Sequence, residues 1–221
     1  MKEDQLYKQL KERLRDDFAP VKPLEKPWKR ALWIFPISMV FMVVTLAVFH
    51  LRSDYANFHP LVLFGFIFLQ ILACYLALTV SLETSIPGSV KNPLILTGIG
   101  LLGPAVFFIA SWAAFHVSPS QPLSDQGWRT GTACLAIIGL FGLLALLCGF
   151  FLVRSGLPFR AGTIGLLIGL GGGLTAEAAW RLHCPNTSWD HILIFHGGSV
   201  LFLLLAGLIM GFLWKRKARR F

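Results

Sequence analysis

Glu177 to His196 reads EAAWRLHCPNTSWDHILIFH, a polar hairpin set between two long apolar runs. It holds three of the six histidines and one of the four cysteines, together with Glu177, Arg181 and Asp190. About 20 apolar residues suffice to cross a bilayer, so the hairpin marks a turn between two membrane spans. A solvated loop with interfacial Trp and His is the plainer reading of these residues. A turn that only reverses the chain needs none of them.

Outward from the hairpin, the whole chain is apolar. It has 221 residues, 55% of them hydrophobic, and a mean hydropathy of +0.67. Soluble domains are less apolar than this. The runs are continuous rather than alternating, which favours helices over a closed barrel. The sequence therefore predicts an all-α integral membrane protein with six transmembrane helices and a short cytoplasmic N-terminal amphipathic helix. The spans are expected at about Ala31–His50, Leu61–Leu82, Pro93–Phe115, Gly131–Val153, Ala161–Leu182 and His191–Trp214. Pro36 is expected to kink span 1 and Pro104 to interrupt span 3. No cleavable signal sequence follows the charged start, so the first apolar run is expected to remain as a span.

Three segments follow from this reading: an arm and proline linker over 1–30, the six-helix domain over 31–214 and a basic tail over 215–221. In the arm, Leu6, Leu10, Leu14 and Phe18 recur every four residues with Tyr7 beside them, and charged residues fill the other faces. Pro20, Pro23 and Pro27 then stop the helix. A short helix with one apolar stripe is not stable alone and needs a surface. That surface is a partner protein, the membrane or a second copy. Glu3, Asp4, Glu12, Asp16 and Asp17 weaken attraction to anionic lipid and suit a protein groove of mixed charge.

Charge placement sets the orientation. Seventeen of the twenty Lys and Arg lie in the arm, the tail and the turns after spans 2 and 4; Arg52, Arg129 and Arg181 lie on the other face. By the positive-inside rule both termini are cytoplasmic, and the net charge of +9 needs no nucleic-acid partner to explain it. All six histidines then fall on the outer side.

Cys134, near the outer end of span 4, and Cys184, in the hairpin, share a depth. Thiolate sulfur and neutral imidazole are the ligands that zinc- and copper-class ions prefer, and two thiols at one level can also oxidise. The candidate metal ligands are Cys134, Cys184, His183, His191 and His196, with Cys134 and Cys184 as a redox pair. Glu177 and Arg181, four apart, read as an ion pair near the site. Cys74 and Cys148 read as packing residues. In span 5, Gly165, Gly169 and Gly173 are spaced for close helix contact, and Gly197, Gly198, Gly207 and Gly211 suggest another such contact on span 6. No Walker loop, HExxH, GxSxG or CxxC motif occurs, so the chain is not expected to be an enzyme.

FAPVKPLEKP (Phe18–Pro27), the SIPG after span 2, the RSGLP after span 4, glycine-rich span 5 and LHCPNTSWDHILIFHG together resemble the NrsF family, six-span anti-sigma factors of the bacterial inner membrane. The resemblance touches nearly the whole chain and is most specific over 154–197. It implies that the arm holds an extracytoplasmic-function sigma factor at the membrane. It also implies that heavy metal or oxidative stress, sensed outside by Cys134 and Cys184, releases that partner. Membrane lipid would be the other partner, with no direct contact to nucleic acid; a transition metal would be a signal ligand, and the oligomeric state stays open. The competing readings are a transporter, which should show more polar groups at mid-membrane than Gln70, or a thiol–quinone oxidoreductase, which would more naturally carry CxxC.

Overall fold

The computed structural model describes residues 24–89, 92–117, 125–157 and 159–218, with residues 5, 7–9, 11 and 12 of the arm. Among the described residues every regular element is helical, and six helices are long and apolar enough to cross a membrane. They are span 1 (Pro27–Phe49), span 2 (Pro60–Thr84), span 3 (Leu94–Val117), span 4 (Trp128–Val153), span 5 (Ala161–Trp180) and span 6 (Trp189–Ala218). In lipid every backbone polar group must be paired within the chain, which is why continuous apolar sequence resolves into helices.

The prolines act differently from the sequence expectation. Span 1 starts early, at Pro27, and breaks at Leu32–Trp33 before resuming over Ile34–Phe49. Pro36 has no N–H to offer Leu32; Phe35 N takes the Leu32 carbonyl instead, at 3.1 Å. The break thus precedes Pro36, which sits in a first helical turn where a missing donor costs little. The expected arm boundary at residue 30 therefore falls within span 1. Pro104 does not interrupt span 3, which runs unbroken over Pro93–Val117. Span 4 extends back to Asp125, and span 6 runs on to Ala218, taking part of the basic tail into the helix.

Span 5 is the axis of the bundle. Every residue from Leu167 to Leu182 is buried. Spans 3, 2, 1, 4 and 6 surround it in that order, and each of them packs against it. Glycine makes this possible. A Cβ on Gly207 would sit 2.9 Å from the Gly169 Cα, and one on Gly173 would sit 3.1 Å from the Val200 Cα. Gly165 and Gly211 likewise face backbone across the same seam. The glycines of spans 5 and 6 therefore meet each other rather than two separate partners. Gly172 opens a second face of span 5 to span 4, where a Cβ would come within 3.0 Å of the Gly142 carbonyl oxygen. Gly198 has open space around it, so the expected close contact at the top of span 6 does not form.

At the end holding the termini, Arg30 donates to Ser155 Oγ at 2.9 Å and Leu157 N donates to Ser85 O at 2.8 Å, joining the SIPG and RSGLP turns. The opposite end carries the hairpin.

Candidate functional site

Three elements converge at that opposite end: the start of span 4, the connection after span 5 and the start of span 6. Cys134 Sγ and Cys184 Sγ are 3.8 Å apart, and both thiols are free and buried. His191 Nε2 is 3.4 Å from Cys184 Sγ. One ligand atom each from Cys134, Cys184, His191 and His196 all fall within 4.8 Å of one another, and all four residues are buried. Contact with Cys134, together with burial, holds the Cys184 thiol well above the usual thiol range.

A departure from regular helix sets both imidazoles. At 3.6 residues per turn, side chains five apart in an α-helix point roughly 140° away from each other. Residues Ile192–Gly197 form a π-helix, whose wider turn brings residues five apart towards one face. His191 and His196 accordingly lie with ring centroids 5.4 Å apart.

Glu177, fully buried in span 5, orients the second histidine. Its Oε1 is 3.3 Å from His196 Nδ1 and accepts from Arg181 at 2.6 Å. Its Oε2 accepts from Gln70 of span 2, whose Nε2 also donates to Leu174 O at 3.0 Å. Arg181 reaches on to Ser111 of span 3 at 3.1 Å. The expected Glu177–Arg181 ion pair is thus one part of a buried network across spans 2, 3, 5 and 6. With Nδ1 on a carboxylate, His196 keeps Nε2 free of any hydrogen bond, and it is buried. A carboxylate on the far nitrogen is the usual support of a metal-binding histidine. Two sulfurs and two imidazoles fit a four-coordinate zinc- or copper-class ion.

His183 does not join the four. Its Nδ1 lies 3.1 Å from the His50 carbonyl oxygen, and its ring packs on Trp180 with centroids 4.7 Å apart. His50 closes span 1 with φ 66° and ψ 169°, a conformation rare outside glycine, which turns its carbonyl to that contact. Arg52 is a structural residue that charge counting alone overlooked. It is 3% exposed, pairs with Asp54 at 2.6 Å, and its backbone N donates to Leu182 O at 2.8 Å. Its guanidinium also reaches the carbonyls of Arg181 and Pro185, so the loop after span 1 grips the segment that carries Cys184. A lone Arg beside an Asp two residues on gave no sign of this. Cys74 is buried in the core, and Cys148 is exposed on span 4. In the arm, residues 7–9, 11 and 12 are helical and exposed, Tyr7 among them; Leu6, Leu10, Leu14 and Phe18 lie outside the described residues.

The model of the family described as negative regulator of sigma F, NrsF, matches residues 14–216. A curated relative, the anti-sigma-F factor NrsF of Caulobacter vibrioides (strain NA1000 / CB15N), is 27% identical over 115 residues, covering 48% of this chain and 52% of the relative. The chain thus spans about half the length of the curated relative it matches. No solved structure matches it. The family match takes in the arm's second half, all six spans and the hairpin with its two cysteines, and by it the chain belongs to the NrsF family of negative regulators of sigma F.

Proposed function

We propose that this protein is a membrane anti-sigma factor. Its N-terminal arm holds a sigma factor of the extracytoplasmic-function class against the cytoplasmic face of the inner membrane. Its Cys/His cluster faces outward and releases that partner when it captures a metal ion or is oxidised. The observation that carries the reading is the buried quartet Cys134, Cys184, His191 and His196, with ligand atoms within 4.8 Å of one another, in a chain of this family. Burying two thiols and two imidazoles together offers little for packing alone, whereas the same four groups make a soft-metal or redox centre. A metal would be held by the two sulfurs, His191 Nε2 and His196 Nε2, and would neutralise charge there as both thiols lost their protons.

The Glu177 network supports a route from that centre into the bundle, since the carboxylate that orients His196 also holds Gln70 of span 2. The apolar stripe Leu6, Leu10, Leu14 and Phe18 in the arm's sequence supports a helix-in-groove contact.

The test is co-purification of sigma factor with the solubilised protein. Removing residues 1–26, which stops short of span 1, is expected to free the partner without a signal, and so is Leu10→Asp, because a charge on the apolar stripe would be buried unpaired. Cys134→Ser and Cys184→Ser are each expected to retain the partner after cadmium or oxidant, while Cys74→Ser releases it like the parent. Release from both outer serine variants would overturn the sensor assignment. Retention by the chain lacking its arm would overturn the arm's role, and a full chain that brings down no sigma factor would overturn the anti-sigma reading.

A further inference from the structure

Beside the two sulfurs lies a cavity of about 500 Å³ that a metal ion or a small water-soluble oxidant does not need. It sits between span 1, span 4 and the connection after span 5. Phe49, Ala133, Ala136, Ile137 and Trp180 give it apolar walls. Cys134, Cys184 and His191 form its reactive side. Phe41 of span 1 stacks on Phe141 of span 4 with ring centroids 4.7 Å apart, and nearer the outer end Ala133 and Ala136 are exposed on the flank of span 4 that borders the cavity. The mouth therefore opens sideways, towards lipid, through small side chains.

Volume, walls and exit point the same way. Small-molecule sites are about 300–1,000 Å³, mostly apolar, with a few convergent polar groups. Here those groups are the thiols, His191 and, at the rim, Thr130 and Asn186. His191 Nε2 meets Cys184 Sγ at 3.4 Å, so the imidazole stands beside the sulfur on the reactive side of the cavity.

We propose that this cavity admits a lipid-dissolved, ring-shaped two-electron oxidant of the quinone class, which oxidises Cys134 and Cys184 to a disulfide. Both S–H bonds break and one S–S bond forms. The two electrons and two protons pass to the quinone, which leaves as hydroquinone. The sulfurs are already in van der Waals contact at 3.8 Å. His191, at 3.4 Å from Cys184 Sγ, is the base in reach of the first proton. The proposal rests on the reading of these two cysteines as the sensor, and it makes the redox state of the membrane's own quinone pool the signal.

The experiment uses the reduced full-length protein in lipid nanodiscs without oxygen. Decylubiquinone is expected to form the Cys134–Cys184 disulfide, read by mass spectrometry, with one hydroquinone per disulfide by absorbance. Diamide, a water-soluble thiol oxidant, is expected to form the same bond. Ala136→Trp fills the mouth from an exposed position and is expected to slow the quinone reaction about tenfold or more, in line with what steric exclusion from an apolar pocket costs, while leaving the diamide rate unchanged. Ala133→Leu, a smaller plug, is expected to act in the same direction. No disulfide with decylubiquinone, or a Trp variant that slows both oxidants alike or neither, would overturn the quinone proposal. Sigma release by diamide but not by decylubiquinone would leave the sensor standing and remove the quinone. A disulfide that forms with either oxidant and releases nothing would remove the sensor itself.

Discussion

Glu177 concentrates the energetics of the site in one carboxylate. It is fully buried, paired with Arg181, and bound to His196 and Gln70. Breaking a buried ion pair from one side leaves a charge uncompensated and costs about 3–5 kcal/mol, whereas replacing both partners by apolar residues is often neutral. Glu177→Gln alone is therefore expected to lower stability by that amount, read by thermal unfolding in detergent. Glu177→Leu with Arg181→Met is expected to recover most of it. The double variant still leaves His196 Nδ1 without its acceptor, so cadmium affinity, read from thiolate–metal absorbance, is expected to stay about 10–100-fold below the parent. Parental affinity in the double variant would show that the carboxylate serves only stability.

Among the elements, span 5 shows how glycine spacing becomes architecture. Gly165, Gly169 and Gly173 line one face, and span 6 answers with Gly207 and Gly211, so the two backbones pack without side chains between them. That seam fixes the height and rotation of span 6 against span 5, and with them the position of His196 over Glu177. Gly207→Val would place its Cβ within 2.9 Å of the Gly169 Cα, a contact that backbone cannot relieve by rotating a side chain. Overpacking of this kind costs about 1–3 kcal/mol. Gly207→Val is expected to lower the unfolding temperature and weaken cadmium binding together. Gly198→Ala, in open space, is expected to change neither.

Over the whole molecule, chemistry and partner contact are assigned to opposite ends of the bundle. The Cys/His cluster lies at one end, while the start of span 1, the two short turns and the basic end of span 6 share the other. In the sequence, seventeen of the twenty Lys and Arg fall in the arm, the tail and the turns after spans 2 and 4. A reporter fused after Phe221 is accordingly expected to be active only when it is a cytoplasmic one. Activity of a periplasmic reporter at that position would invert the protein and put the cluster on the sigma factor's side of the membrane. The link between the ends is span 5, buried along its inner length and touched by every other span. A shift of Glu177 is therefore felt by spans 2, 3 and 6 at once.

Sequence alone determined the six spans, the close-contact glycines and the shared level of Cys134 and Cys184. Each of these depends on length, composition or spacing along one helix, and those are local properties of the chain. Tertiary packing decided the membership of the site. His183 is the immediate neighbour of Cys184 and His191 lies seven residues on, yet His183 turns away to the His50 carbonyl and only the more distant His191 returns to the sulfur. Periodicity also assumes 3.6 residues per turn, so it could not anticipate the π-helix that sets His191 and His196 on one face. Gln70 and Glu177 are 107 residues apart, and Arg52 reaches a carbonyl 133 residues away. Contacts at such separations arise from the rotation of one span against another. That rotation follows from the glycine seam and the surrounding packing, which no single span's sequence contains.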